Sequence, residues 1–191
     1  VAFGVNAASF LGVIVAIVVV GRKLQLPEPE QTPLTSAIAL GLRFARFTPS
    51  FARLLALVAA FAIFSASIQS VLAPYTDEIG GTSAQYGLLL GAMGVGALAA
   101  AFARHQAVGR LGNRATQITV AVFGIAGVYV GMVDSVALAV PGLIVVGVCW
   151  VLTLVTLNTT TQTLSPEWIR GRAMSLYTLA FTGITPLGAI L

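Results

Sequence analysis

Six stretches of roughly twenty residues carry no charged side chain, the length an α-helix needs to cross about 30 Å of hydrocarbon at 1.5 Å per residue. They are Val1–Val20, Leu54–Pro74, Ala84–Ala103, Ala115–Val133, Val136–Leu157 and Ala173–Leu191. Their Ala, Leu, Val and Gly follow no alternation of polar and apolar residues, so the pattern predicts membrane helices rather than the strands of a membrane barrel. Across the 191 residues 58% are hydrophobic and 8% charged, against roughly 25% charged in an ordinary soluble domain. Ten Lys/Arg, six Asp/Glu and one His could not solvate the surface of a water-soluble globule of this size. The fold class expected is therefore an all-α integral membrane bundle, with the lipid bilayer as its first partner.

The charges between the runs give an orientation. Arg22, Lys23, Arg43, Arg46 and Arg53 lie between or bordering the first and second runs, Arg104, Arg110 and Arg114 around the third connection, and Arg170 and Arg172 in the fifth. The alternate connections hold Asp77, Glu78 and Asp134, with no Lys or Arg. By the positive-inside rule the arginine-bearing loops face the cytoplasm. The formal net charge of +4 is thus accounted for by topology, and no nucleic-acid partner is expected. Val1 and Leu191 both fall within apolar runs, so the chain is expected to be a piece of a longer protein. The first run has neither a basic leader nor a small-residue cleavage site and does not read as a signal peptide.

Between the first two runs, Pro27 and Pro29 alternate with Glu28 and Glu30 in an extended polar linker. Thr32 and Pro33 then form an N-cap and first-turn pair. Leu34, Ile38, Leu42 and Ala45 recur at helical spacing, with Arg43 and Arg46 off that stripe and Pro49 expected to end the segment. Such a helix suits a membrane surface, with arginines among anionic headgroups, or the side of the remaining bundle.

Catalysis has little to stand on. His105 is the sole histidine and is flanked by Arg104; Cys149 is the sole cysteine; no pair of carboxylates shares a span. No enzyme, metal site or cofactor is expected. Polar residues inside apolar runs are the better guide, because each costs free energy unless it is paired or faces water. The second run holds Ser65, Ser67, Gln69 and Ser70; the fifth ends in a threonine-rich segment in which Asn158 and Gln162 stand four apart on one face. For Gln69 and Asn158 two roles remain open, lining a cavity or bonding between helices. Glycines at Gly87, Gly91, Gly94, Gly96, Gly124, Gly127 and Gly131 predict close helix packing. The turns around Arg110, Gly112 and Arg114 and around Arg170, Gly171 and Arg172 combine glycine with fixed cations. Two roles remain open for them, clamping the carbonyl ends of helices at the cytoplasmic face or supplying topogenic charge alone.

At these turns the sequence resembles the major facilitator superfamily. Arg110-Leu111-Gly112-Asn113-Arg114 echoes its G-x-x-x-D-R-x-G-R-R loop, and Pro166-Glu167-x-x-Arg170-Gly171-Arg172-Ala173 fits its P-E-x-x-R-G-R-A pattern. With Tyr86 to Ala92 and Asn158 to Gln162, the chain is similar to the branch that contains bacterial siderophore (enterobactin-type) exporters and related efflux proteins. The resemblance implies a major-facilitator-type helical bundle, the C-terminal half plus the preceding helix, with the runs as helices six to eleven of twelve. Residues 1–20 would then close the N-terminal half, 21–50 would form the cytoplasmic loop between halves with its amphipathic helix, and 51–191 would be the truncated C-terminal bundle. It implies a permease of the bacterial inner membrane that exports a small-molecule substrate, siderophore or drug-like, by alternating access, with proton antiport as the coupling. The N-terminal half of the same chain would be its partner. It also places Gln69, Asn158, Gln162 and Ser65 at the substrate cavity. The alternative is a non-transporting membrane sensor or assembly scaffold built on the same bundle.

Overall fold

The structure, a computed structural model, describes residues 2–21, 34–111 and 114–190. Every described element is an α-helix: α1 (Ala2–Gly21), α2 (Leu34–Phe47), α3 (Pro49–Glu78), α4 (Ser83–Leu111), α5 (Ala115–Met132), α6 (Val136–Leu164) and α7 (Arg170–Ile190). The chain divides into two compact units, Val1–Leu34 and Thr35–Leu191. Among the described residues five helices, α3 to α7, are long and apolar enough to cross a membrane; α1 contributes a shorter apolar helix over Asn6–Gly21. Within its own unit α1 leaves Phe10, Leu11, Ile14 and Ile17 exposed, as a helix apolar all round must when its solvent is lipid.

The helices outrun the charge-free stretches. α3 takes in Arg53, α4 takes in Arg104 and runs to Leu111, and α6 continues to Leu164. Absence of charge measures only the hydrocarbon segment, whereas the helical hydrogen-bond ladder continues through the headgroup layer. α2 stops at Phe47, just ahead of Pro49 as expected, and Pro49 then opens α3 behind Thr48, where its missing N–H is no loss. One reading needs correction: Arg110 does not lie in a turn, since it belongs to the last turn of α4.

The second unit is built on three helix crossings. α4 packs on α6 through Gly96 and Gly147: a Cβ on Gly96 would fall on the Ile144 carbonyl oxygen, and one on Gly147 on the Met93 carbonyl oxygen. α3 meets α7 in the same manner at Gly188, whose Cβ would fall on the Ile63 carbonyl oxygen. α5 lies against α6, with Gly142 beside the Val130 and Tyr129 side chains. Of the glycines the spacing singled out, only Gly96 and Gly127 serve packing. Gly87, Gly91, Gly94, Gly124 and Gly131 have nothing within 4 Å of a would-be Cβ among the described residues. Four-residue spacing identifies a face but not whether another helix reaches it.

One core joins Phe51, Val58 and Phe61 of α3 with Phe123 of α5, Val146 and Leu157 of α6, and Ala173 and Tyr177 of α7; the Phe61 and Phe123 rings sit 5.2 Å apart. A second cluster, including Leu72, Leu89, Val130 and Leu143, closes the acidic end. α2 joins the first core through Phe44 and, from the expected stripe, Ala45, but not through Leu42. Gly41 is buried beside Leu176, Phe44 lies 5.0 Å from the Phe51 ring, and Leu42 of the expected stripe is exposed. Glycine lets the backbone approach α7 closely at Gly41, and Leu42, the next residue round the helix, faces outward. The side chains of Leu34 and Ile38 lie outside the described residues.

Candidate functional site

Hydroxyl-bearing residues in the spans mostly satisfy themselves. Ser70 donates to the Ala66 carbonyl at 2.9 Å, Thr156 to Leu152 at 2.7 Å, Thr160 to Thr156 at 2.7 Å and Thr161 to Leu157 at 2.8 Å. A side-chain oxygen on Cβ reaches the carbonyl one turn back, so a serine or threonine can enter hydrocarbon at little cost and mark no site. Four others tie elements together. Ser67 donates to the Gly188 carbonyl at 2.7 Å, Thr153 to the Thr119 hydroxyl at 2.9 Å, Tyr75 to the Val133 carbonyl at 2.7 Å and Tyr129 to the Leu138 carbonyl at 3.1 Å. Amide and indole side chains, being longer, need partners elsewhere and are the informative groups.

Four of them lie in the spans' polar segments. Asn158 and Gln162 satisfy one another along α6, the Gln162 amide N–H donating to Asn158 Oδ1 at 2.7 Å. Gln69 makes no hydrogen bond among the described residues and instead lines a cavity of about 290 Å³ between α3, α6 and α7. The other lining residues are Ser65, Ala66, Trp150, Phe181, Thr182 and Thr185. Trp150 Nε1 is shut off from solvent without a hydrogen-bond partner, and it is the sole buried side-chain polar atom so placed among the described residues. None of the lining side chains is ionisable.

The cavity is shaped by sequence-local causes. Ser65 and Gln69 stand four apart and share a face of α3. Phe181 and Thr185 do the same on α7. Pro186 has no N–H to give to the Thr182 carbonyl, which loses its usual helical donor at the cavity wall. Two grooves between α3 and α5, of about 530 and 210 Å³, are almost wholly apolar. Their shared polar group, Ser67, has its hydroxyl hydrogen engaged by backbone carbonyls and can only accept.

The expected site residues divide accordingly. Ser65 and Gln69 share the cavity, whereas Asn158 and Gln162 are not among its lining and lie farther along α6. Trp150, Thr182 and Thr185 were not anticipated. A tryptophan amid aliphatic residues at Val148 to Leu152, and a proline four residues after Thr182, were the available signals. Gly112 lies outside the described residues, as does the side chain of Arg110. Arg114 is exposed on the turn leading into α5. Arg170 and Gly171 are exposed and Arg172 is half-buried, its Cβ close to Gly41 of α2. Both arginines occupy the first turn of α7, where the unpaired backbone groups are N–H donors rather than carbonyls. They therefore do not cap their own helix as a C-terminal clamp would, and no arginine side chain makes a hydrogen bond among the described residues. The turn before them is held by Ile169, whose N–H bonds the Pro166 carbonyl at 3.1 Å, and by the burial of Ile169 and Ala173; this explains why that pattern ends in alanine.

A sequence profile for the family described as transmembrane secretion effector matches residues 1–191. No curated protein and no solved structure matches the chain. The bundle of membrane-length helices and the profile covering every residue lead to one assignment: the chain belongs to the transmembrane secretion effector family of major facilitator transporters.

Proposed function

We propose that this transporter exports a small molecule across the bacterial inner membrane by alternating access, and that the cavity between α3, α6 and α7 is part of its substrate path. The observation that carries the reading is the Gln69 amide, which makes no hydrogen bond among the described residues and borders, with Ser65 and Trp150, a partly open cavity between apolar helices. Polar groups held unpaired at membrane depth are retained where a ligand or water completes them. In the register implied by the resemblance, α1 is helix six and α3 to α7 are helices seven to eleven, so α3 and α6 border the central path between two rocking halves. Asn158 and Gln162 extend the polar face of α6 toward the cytoplasmic side and line the path in another stage of the cycle. No Asp, Glu, His or Lys lies within a charge-free run, so a proton-coupling group would belong to the N-terminal half. Arg170 and Arg172 act at the cytoplasmic gate, where helix ends of that half would supply carbonyls.

The test is export by the full-length protein in cells and in proteoliposomes. Gln69→Ala and Asn158→Ala each change apparent affinity for the exported compound, or the range of compounds exported, at normal protein levels. Gln69 makes no hydrogen bond among the described residues and the Asn158 bond stays within α6, so loss of one amide is expected to leave the fold intact and the effect isolates the path. Unaltered transport in both variants removes these residues from the path. No transport of any compound under any ion gradient favours a sensor or scaffold.

A further inference from the structure

We propose that α2 lies flat in the headgroup layer on the arginine-bearing side of the membrane, and that Arg43 and Arg46 on its outward face bind the phosphate of an anionic phospholipid. Two points fix its depth. Phe47 is separated from the start of α3 by Thr48 alone and stands seven residues before Leu54, where the charge-free run of α3 begins. Seven residues of helix span about 10 Å, and the polar layer beside the hydrocarbon is roughly 5–7 Å thick, so this end of α2 is held at the membrane surface. Gly41, nearly two turns earlier, meets α7 at a similar level. A Cβ there would stand 3.3 Å from Leu176 and 3.9 Å from Arg172, residues on either side of Ala173, where the charge-free run of α7 begins. With both points at the edge of the hydrocarbon, α2 runs along the surface rather than away from it.

Its two faces are chemically distinct. Gly41, Phe44 and Ala45 turn to the bundle, whereas Ala39, Leu42, Arg43, Arg46 and Phe47 are exposed. Leu42 is 56% and Phe47 72% exposed; at this depth lipid covers them. Arg43 and Arg46, three apart, are neighbours on the outward face, and the Arg43 guanidinium lies 5.9 Å from the centroid of the Phe47 ring, which ties that cation to an apolar anchor. Apolar side chains beside arginines are what an interfacial helix needs. The charge then selects the lipid. Residues 31–76 hold Arg43, Arg46 and Arg53 and no Asp or Glu, and Arg53 is exposed one turn into α3. Among the described residues on this side of the membrane the sole acid is Glu167, in the α6–α7 connection. A guanidinium fork matches two phosphate oxygens. A lipid with net negative charge is favoured over a zwitterionic one, whose own cation sits beside its phosphate.

The test does not depend on transport. The full-length protein is extracted from vesicles of phosphatidylcholine and phosphatidylglycerol, and native mass spectrometry compares the retention of the two lipids. Phosphatidylglycerol is expected to be retained preferentially. Arg43→Gln with Arg46→Gln is expected to lower its relative binding constant by roughly 10- to 30-fold, at about 5-fold for each cation near an anionic surface, with an unchanged melting temperature because both side chains are exposed. Arg104→Gln removes an exposed cation of α4 on the same side and is expected to leave the preference unchanged. In a Cys149→Ser background, spin labels on Ala39→Cys and Phe47→Cys in nanodiscs of the same lipids are expected to report one common depth, at the headgroups. Equal retention of the two lipids, an equal loss in Arg104→Gln, or displacement of phosphatidylglycerol by soluble glycerol phosphate at matched concentration overturns the lipid site. Labels bathed in water, or enclosed by protein, overturn the placement of α2 and the site with it.

Discussion

At Gly96 the α4 backbone lies so close to α6 that a Cβ would fall on the Ile144 carbonyl oxygen, whereas at Gly94, two residues earlier, nothing stands within 4 Å. The same amino acid thus answers two different demands on one helix. Gly96→Ala forces the helices apart and is expected to lower stability by about 1–3 kcal/mol, the range for overpacking. Gly94→Ala is expected to be neutral, or to stabilise by about 0.5–1 kcal/mol through the helix preference of alanine over glycine. Thermal unfolding of the purified full-length variants in detergent decides this, and equal melting temperatures would contradict the crossing. Residue chemistry draws the same kind of distinction at the cavity. Short hydroxyls mostly bond their own helix, so Gln69, which makes no hydrogen bond among the described residues, is the polar group that the proposed path is built on.

Individual elements are joined by few polar ties, each with a recognisable local cause. The α3–α4 connection ends α3 with Gly80 at φ 70°, where an L side chain would be strained, and Gly81 returns its N–H to the Thr76 carbonyl at 2.8 Å. Thr82 and Gln85 then form a reciprocal capping box, the Thr82 N–H donating to Gln85 Oε1 at 2.8 Å and the Gln85 N–H to Thr82 Oγ1 at 3.4 Å. Tyr75 carries α3 across to the α5–α6 connection through its bond to Val133. Tyr75→Phe frees that carbonyl while keeping the ring, at an expected cost of about 0.5–1.5 kcal/mol. Amide hydrogen exchange by mass spectrometry is expected to accelerate over residues 133–136 and to stay unchanged in the α4–α6 crossing. Unchanged exchange at 133–136 would show that the tyrosine does not hold this connection.

For the whole molecule the testable property is orientation. All ten basic residues border alternate connections, and by the positive-inside rule the α3–α4 and α5–α6 connections are expected outside. In the full-length chain with Cys149 replaced, cysteines at Glu78 and Asp134 are expected to react with an impermeant maleimide added to intact cells. Cysteines at Gln106 and Glu167 are expected to react only after permeabilisation; the reverse pattern inverts the topology and the assignment of the gate. All four positions are exposed. Thr76, which its place beside Asp77 would recommend, is 1% exposed and unsuited to labelling. The arginines carry a second prediction. Arg170→Lys with Arg172→Lys preserves charge but removes the planar fork, so transport is expected to fall severalfold at unchanged expression. Full activity would leave these residues a topogenic role only.

Helix number and approximate spans were legible in the sequence, because lipid imposes a one-dimensional rule: a charge cannot stay in hydrocarbon, and a backbone there must be helical. The two amides of α3 and α6 were legible as unusual for the same reason. What the sequence left open was decided by which faces meet. The open Gly94 and the packed Gly96, or the exposed Leu42 and the buried Gly41, differ only in whether another helix, distant in the chain, crosses at that point. Trp150 passes in the sequence for one more apolar residue of α6. Its indole N–H becomes exceptional only when α3 and α7 enclose it beside Gln69 without offering an acceptor. Asn158, equally polar in sequence, finds Gln162 one turn away and is satisfied locally. Solvent exclusion acts on each segment alone and so can be read from the string of residues, whereas the pairing of a buried donor depends on the three-dimensional neighbours that the helix crossings bring to it.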